Sequence, residues 1–388
     1  MTTSYLDRLQ HQMTKYELLY ADKPVKFALK LIGFNLKFLL SSVRLFPLKP
    51  TFHDGIQHIG IEVVGGVGDL TISAKYVSAL KQYLGDEVEF DIISLPQELE
   101  IARAIFSNVS GVVRICSQKD RHPIYDAVIY LVRFPRVKSV FFSRLLPKTQ
   151  AYVQKLQAFE KGHMILYKND YLGRTWSQLN GRRREDQADI DDRLDMAHTQ
   201  FTLDCPKEAD EVLAKFGLFQ KRYIVLQTGA GRHFEKIKQD TRQWPASSYE
   251  TLVGLYKKRF PDDVIVQVGQ ITQTPISNVD QDLRGKTTFD ELLCLLANAA
   301  LQVSQEGGMA ILRHFLGGGK SVVLFGPTDE TFFGFKENIN LSARKCAGCC
   351  EWIVKDWMAK CPKTGQDSLC MRNLPPETVM KEIEKEVL

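Results

Sequence analysis

Several familiar signals are missing from this 388-residue sequence, and each absence narrows the function. No short basic segment runs directly into an apolar core and a small-residue cleavage site, so no secretory signal is expected and the protein is placed in a cytosol. No basic run is interleaved with aromatic residues, and no zinc-finger helix pattern occurs, so nucleic acid is not an expected partner. The dinucleotide register G-x-G-x-x-G fails wherever glycines cluster, and neither a solenoid-length repeat nor a low-complexity segment is present. Charge of one sign is also scarce. Lys and Arg number 51 against 46 Asp and Glu, a formal net charge of +5. So small an excess permits an anionic ligand or a membrane surface without requiring either.

What is present is ordinary globular material, 44% hydrophobic and 25% charged, in a chain long enough for two or three domains. Residues 1–52 stand apart as an extension. Within them the apolar stretch 25–46 is broken by Lys26, Lys30, Lys37 and Arg44. At about 100° per residue these four cations share one narrow stripe, and so many charges argue against a spanning helix. A basic amphipathic helix fits two places: an anionic membrane interface, on the inner face of the cytoplasmic membrane, or the protein's own body.

From residue 58 onward the pattern becomes strand and helix in turn. Short apolar runs at 59–64, 88–95 and 127–132 read as buried strands, and 70–84 has helical spacing. The second half alternates more cleanly, with strands at 223–227, 263–269, 301–304 and 321–325 and helices at 247–260, 288–299 and 309–315. Thr288 followed by Glu291 predicts a capping box. This is the signature of an α/β protein with doubly wound parallel sheets, whose ligands sit beyond the carboxyl ends of the strands. The expected organisation is a first Rossmann-like domain at 53–215, a second at 216–345, and a Cys-rich segment with a terminal helix at 346–388. The charge-dense run 180–195 has weak periodicity and reads as a surface loop or interdomain segment.

Four motifs can carry chemistry. Gly65-Gly66-Val67-Gly68-Asp69 lies between a strand and a helix; Gly68 allows close approach, and Asp69 is either a general base or simply a helix N-cap. Gln305-Glu306-Gly307-Gly308 pairs a carboxylate that can accept hydrogen bonds from sugar hydroxyls with two glycines, or is a tight turn with a solvated glutamate. Thr228 and Gly229 end a strand and lead into a loop holding Lys236, Lys238 and Arg242, cations suited to a departing pyrophosphate; Gly326 and Thr328 would form the facing wall. The thiolates of Cys346, Cys349, Cys361 and Cys370 can hold a structural zinc or iron tetrahedrally, with free thiols and disulfides as the alternatives.

The order of Gly68-Asp69, Trp244-Pro245, Asp282-Leu283-Arg284-Gly285-Lys286-Thr287, Glu306-Gly307-Gly308 and Leu324-Phe325-Gly326-Pro327-Thr328 resembles glycosyltransferase family 9, the ADP-heptose:lipopolysaccharide heptosyltransferases and their relatives. The resemblance spans about 58–388. It implies a GT-B fold with two Rossmann-like domains facing a cleft, and an inverting displacement from a nucleotide-diphosphate sugar that needs no cofactor for catalysis. The implied donor is ADP-heptose and the implied acceptor a glycan or glycolipid such as the lipopolysaccharide core. By motif, the resemblance implies that Asp69 is the base, that Arg242 stands where members often have a lysine contacting donor phosphates, that Thr228 falls near their phosphate-binding threonine, and that Glu306 matches an acidic residue touching the donor sugar. The late cysteine pattern occurs in many members and binds iron in autotransporter-modifying relatives. The chain departs from the family at Ile311, where many members have histidine, and at Glu306, where aspartate is commoner. A protein heptosyltransferase, a nucleotide-sugar epimerase and a non-catalytic nucleotide-binding relative are the rival readings.

Overall fold

The structure is a computed structural model and describes residues 55–121, 125–205, 208–229, 241–342, 351, 353, 357–365 and 368–387. The stretch 25–46 lies outside the described residues. Residues 56–388 belong to one compact unit built on two sheets.

The first sheet comprises β1 (Gln57–Val63), β2 (Val88–Ser94), β3 (Val112–Ser117), β4 (Ala127–Leu131) and β5 (Pro135–Val140) in the order β3-β2-β1-β4-β5. Its central strands are parallel and buried on both faces, which is why they read as continuous apolar runs such as Ile59, Ile61 and Val63. Only β5 runs antiparallel, and its exposed Arg136 and Lys138 suit an edge. The second sheet comprises β6 (Tyr223–Gln227), β7 (Val264–Gln267), β8 (Gln281–Asp282), β9 (Leu301–Gln305), β10 (Ser321–Phe325) and β11 (Ile339–Ser342), in the order β11-β10-β9-β6-β7-β8. Every pairing in it is parallel. Strand order reverses between β1 and β4 and again between β6 and β9, and a doubly wound sheet opens a crevice at such a point.

Six helices matter for the site: α1 (Val67–Leu84), α2 (Asp170–Leu179), α3 (Ala246–Arg259), α4 (Phe289–Asn298), α5 (Gly308–Phe315) and α6 (Pro376–Val387). A single apolar cluster joins the two sheets' layers, running from Leu70 and Leu80 of α1 to Leu293 of α4 and Leu312 and Phe315 of α5. A second cluster covers the other face of the second sheet with Tyr249, Val253 and Tyr256 of α3 and Val379 and Ile383 of α6. The expected capping box is present on α4. The Thr288 Oγ1 accepts from the Glu291 N–H at 3.2 Å, and the Glu291 Oε2 accepts from the Thr288 N–H at 2.9 Å.

One expectation is corrected. The run 180–195 is not a solvated surface loop. Arg182, Arg184, Gln187 and Asp189 are buried, and Lys75 of α1, itself buried, donates to Glu185 and Asp186 at 2.8 Å each. Its charges pair with one another and with Lys75 of α1, so it packs between elements.

Candidate active site

The first sheet contributes Asp69 from the turn that follows β1. Asp69 is the third residue of α1, and Gly66 is its N-cap. The N-capping contact therefore exists, but Asp69 makes it from inside the helix: its Oδ2 accepts from the Gly66 N–H at 3.2 Å. Its Oδ1 accepts from Arg184 Nη2 at 2.5 Å. The Asp69 side chain keeps 40% of its surface exposed while Arg184 keeps 10%, so the carboxylate is held by two donors and still open on one side.

The second sheet contributes Glu306 directly after β9. Arg242 Nη1 lies 3.9 Å from Glu306 Oε2, and both side chains are largely buried. The motif residues around them divide by role. The Thr228 hydroxyl donates to the Thr274 carbonyl at 3.1 Å and accepts from Gln267 Nε2 at 3.2 Å, so it already serves the β6–β7 side of the crevice. A Cβ on Gly229 would meet the Gln273 side chain, and one on Gly326 would meet Met371 Cγ at 2.9 Å and the Thr241 carbonyl at 3.1 Å. Both glycines are packing positions. Thr328 is buried beyond β10. Lys238 lies outside the described residues. The Asp282–Lys286 motif folds on itself, with Arg284 gripping both oxygens of Asp282 and drawing that carboxyl below its ordinary value.

The two halves of the site meet through glycines. A Cβ on Gly68 would stand 2.6 Å from Ile311 Cδ1 and 3.1 Å from the Gly308 Cα, and one on Gly308 would strike Val67 and lie 3.0 Å from the Gly68 N. The start of α1 is thus pressed against the start of α5, and only residues without side chains allow it. Around Gly307 a Cβ would meet nothing within 4 Å. Ile311 packs into this junction instead of presenting a polar group. Asp69 follows Gly68 and Glu306 lies two residues before Gly308, so both carboxylates belong to the turns that meet here.

Sequence reasoning missed the buried charges that frame this junction. Arg174 of α2 donates to Glu351 Oε2 at 2.5 Å and lies 3.7 Å from Asp329, whose N–H donates to the same Glu351 oxygen at 3.1 Å. Glu351 is fully buried, and burial pushes its carboxyl up to about 8; Arg174 works against this, while Glu306 and Asp329 add to it. Arg133, ion-paired with Asp170, is drawn down to about 10 by burial and by the charge of Arg184, with Asp69 and Glu351 opposing. Charges of both signs run from Asp69 through Arg184 and Arg133 to Glu351 and Glu306. Their partners are far apart in sequence, so no local pattern announces them.

Of the cysteine cluster, Cys346 and Cys349 lie outside the described residues. Cys361 and Cys370 are buried, and the Ser368 hydroxyl lies 2.8 Å from the Cys370 sulfur. Burial acts to raise the Cys361 thiol, but backbone N–H groups of Leu369, Lys363 and Thr364 and the Thr364 side chain bring it below its usual range. Among the described residues no three His, Cys, Asp or Glu side chains are grouped as a metal needs. No described helix is long and apolar enough to cross a membrane. A cavity of about 590 Å³ lined by Lys81, Asn108, Phe201 and Asp204 lies toward the far end of α1, away from Asp69.

No family model and no curated protein matches the sequence. Solved structures do match. ADP-heptose lipopolysaccharide heptosyltransferase II of E. coli aligns with a TM-score of 0.53 at 13% identity, over 85% of this chain and 98% of that one. The iron-containing dodecameric glycosyltransferase TibC of enterotoxigenic E. coli H10407 aligns with a TM-score of 0.53 at 11% identity, over 86% of this chain and 77% of that one. TibC in complex with ADP-D-beta-D-heptose gives 0.54 at 10%. At such identities the likeness establishes architecture, and it is the expected one: the chain has the two-sheet GT-B fold of the heptosyltransferases that its motifs resemble.

Proposed function

We propose that the protein is an inverting glycosyltransferase that moves heptose from ADP-heptose to a bacterial cell-envelope glycan, the lipopolysaccharide core being the favoured acceptor. The observation that carries this reading is the junction of Gly68 with Gly308, where the turn bearing the open carboxylate Asp69 meets the turn that follows Glu306, itself close to Arg242. Asp69 takes the proton of the attacking acceptor hydroxyl. Glu306 accepts hydrogen bonds from sugar hydroxyls, and Gly307, with space around it, lets the sugar approach the backbone. Arg242, joined by Lys238, stabilises the charge that gathers on the departing diphosphate. Because the Thr228 hydroxyl is engaged with Thr274 and Gln267, the strand-end backbone at Thr228 and Gly229 borders the phosphates, with Gly326 and Thr328 behind.

Cys346, Cys349, Cys361 and Cys370 would hold a structural zinc or iron, which would brace the segment bearing Glu351 and take no part in the transfer. The same cluster favours a protein acceptor as the second reading of the substrate. Residues 25–46 would lay the protein on the inner face of the cytoplasmic membrane, beside a lipid-linked acceptor.

Two linked measurements test the proposal. Thermal shifts with ADP, UDP and GDP, repeated with their sugar conjugates, are expected to select ADP, since a ligand that binds only the native state raises its stability. Asp69→Asn is expected to reduce transfer on the order of 10²–10⁴-fold while the ADP shift persists. Near-full turnover by the variant would remove Asp69 as the base. Isomerisation of the donor without acceptor would make the protein an epimerase, and ADP binding without any turnover would make it a non-catalytic relative.

A further inference from the structure

Asp69 does not set its own geometry. One oxygen rests on the Gly66 N–H of its own turn, and the other receives Arg184 Nη2 at 2.5 Å from a residue 115 positions away. The same Nη2 lies 3.4 Å from the Val132 carbonyl, just past the end of β4. Since β1 and β4 flank the reversal of strand order, Arg184 spans the crevice of the first sheet from one lip to the other.

The backbone that carries Arg184 is fixed to the helix that carries Asp69. Arg184–Asp186 is a single tight turn, and Glu185 and Asp186 both grip Lys75 of α1 at 2.8 Å, about a turn and a half beyond Asp69. The turn also reaches the second half: Arg183 donates to the Gly334 carbonyl, and Glu185 lies 4.0 Å from His314 Nε2 on α5. A carboxylate offers about four lone-pair sites, and two donors on separate oxygens fix its plane while leaving a site on each for another proton.

We infer that Arg184 is a positioning residue for Asp69, holding the carboxylate in the crevice plane so that its open edge faces the incoming hydroxyl. The inference rests on reading Asp69 as the base. Arg184 reaches the incoming hydroxyl only through Asp69. Its contribution is orientation, and loss of orientation at a reacting group can cost about 10²-fold in rate.

The test uses the full chain with ADP-D-beta-D-heptose, following ADP release with water as the acceptor, and compares Arg184→Met, Arg184→Lys and Asp69→Asn. Arg184→Met is expected to lower kcat about 10²-fold with little change in the donor KM. Added methylguanidine is expected to restore part of that loss, and to do nothing for Asp69→Asn. Arg184→Lys, which keeps the charge without the planar fork, is expected to fall between. Crystal structures of both Arg184 variants are expected to show Asp69 turned away from the Gly66 N–H. If Arg184→Met does not fold, Arg184→Lys carries the test: a reduced kcat at constant KM with a displaced Asp69 supports the role. Wild-type kcat in either Arg184 variant, or an undisplaced Asp69, would overturn it while Asp69→Asn stays inactive. Activity in Asp69→Asn would instead remove the base assignment itself.

Discussion

At the scale of single residues, the junction of Gly68, Gly308 and Ile311 shows how much of the site depends on absent side chains. Alanine at 68 meets the Ile311 Cδ1 at 2.6 Å, a methyl that valine at 311 would lack, and also the Gly308 Cα at 3.1 Å, which cannot yield. Gly68→Ala is expected to cost about 1–3 kcal/mol by overpacking, even after the helix-propensity gain of alanine. Adding Ile311→Val is expected to recover part of it, a coupling of about 0.5–3 kcal/mol readable from urea midpoints of the four members of the cycle. Strict additivity would mean that the two helix starts do not touch in solution. The same junction accounts for the isoleucine: Ile311 is part of the apolar seam. Asp69 was legible because a strand, a glycine turn and a helix announce their own geometry. Arg184 was not, since a run of arginines and acids looks solvated until its partners, Asp69 and Lys75, arrive from more than a hundred positions away.

At the scale of elements, the legible parts were those whose hydrogen bonds and burial are local or symmetric. Central parallel strands, buried on both faces, write themselves as apolar runs, and the Thr288–Glu291 box marks the start of α4 within four residues. The edge strand β5 escaped because it alternates charge with half-buried residues and pairs antiparallel. The turn at Arg184–Asp186 escaped for a different reason: its order comes from Lys75. Burial raises the Asp186 carboxyl above its ordinary value, with Lys75 pulling the other way. A carboxyl raised in the folded state favours folding while it is protonated, and its contribution is lost as pH climbs through and beyond the unfolded value. Lys75→Met removes the opposing cation, so this loss deepens. The variant is expected to be destabilised by about 3 kcal/mol near neutral pH, the low end for a broken buried pair because Glu185 and Asp186 retain some exposure. The deficit is expected to shrink toward pH 4. Urea unfolding at the two pH values measures it, and an equal deficit at both would show that Lys75 acts through packing alone.

At the scale of the whole molecule, the question is whether two doubly wound sheets unfold as two bodies or as one. Chains of this length commonly unfold domain by domain. Here one apolar cluster runs from α1 through α4 and α5, the helix starts interlock at Gly68 and Gly308, and Arg174 of the first half is buried against Glu351 and Asp329 of the second. Separating the halves would expose that seam and leave Glu351 without its cation, and breaking a buried pair costs about 3–5 kcal/mol on its own. The halves are therefore expected to unfold together. Trp176 lies on α2 with the first sheet's aromatic cluster of Phe134 and Phe159, while Trp244 is buried against Tyr249 on the second. Single-tryptophan variants retaining one or the other should report the same urea midpoint, coincident with far-UV circular dichroism. ADP, whose proposed contacts lie mainly in the second half, should then raise both midpoints equally, because ligand binding stabilises whatever unit must unfold to release it. A rise confined to the Trp244 signal would mean that the seam opens first and that the two halves of the site are assembled only when substrate closes them.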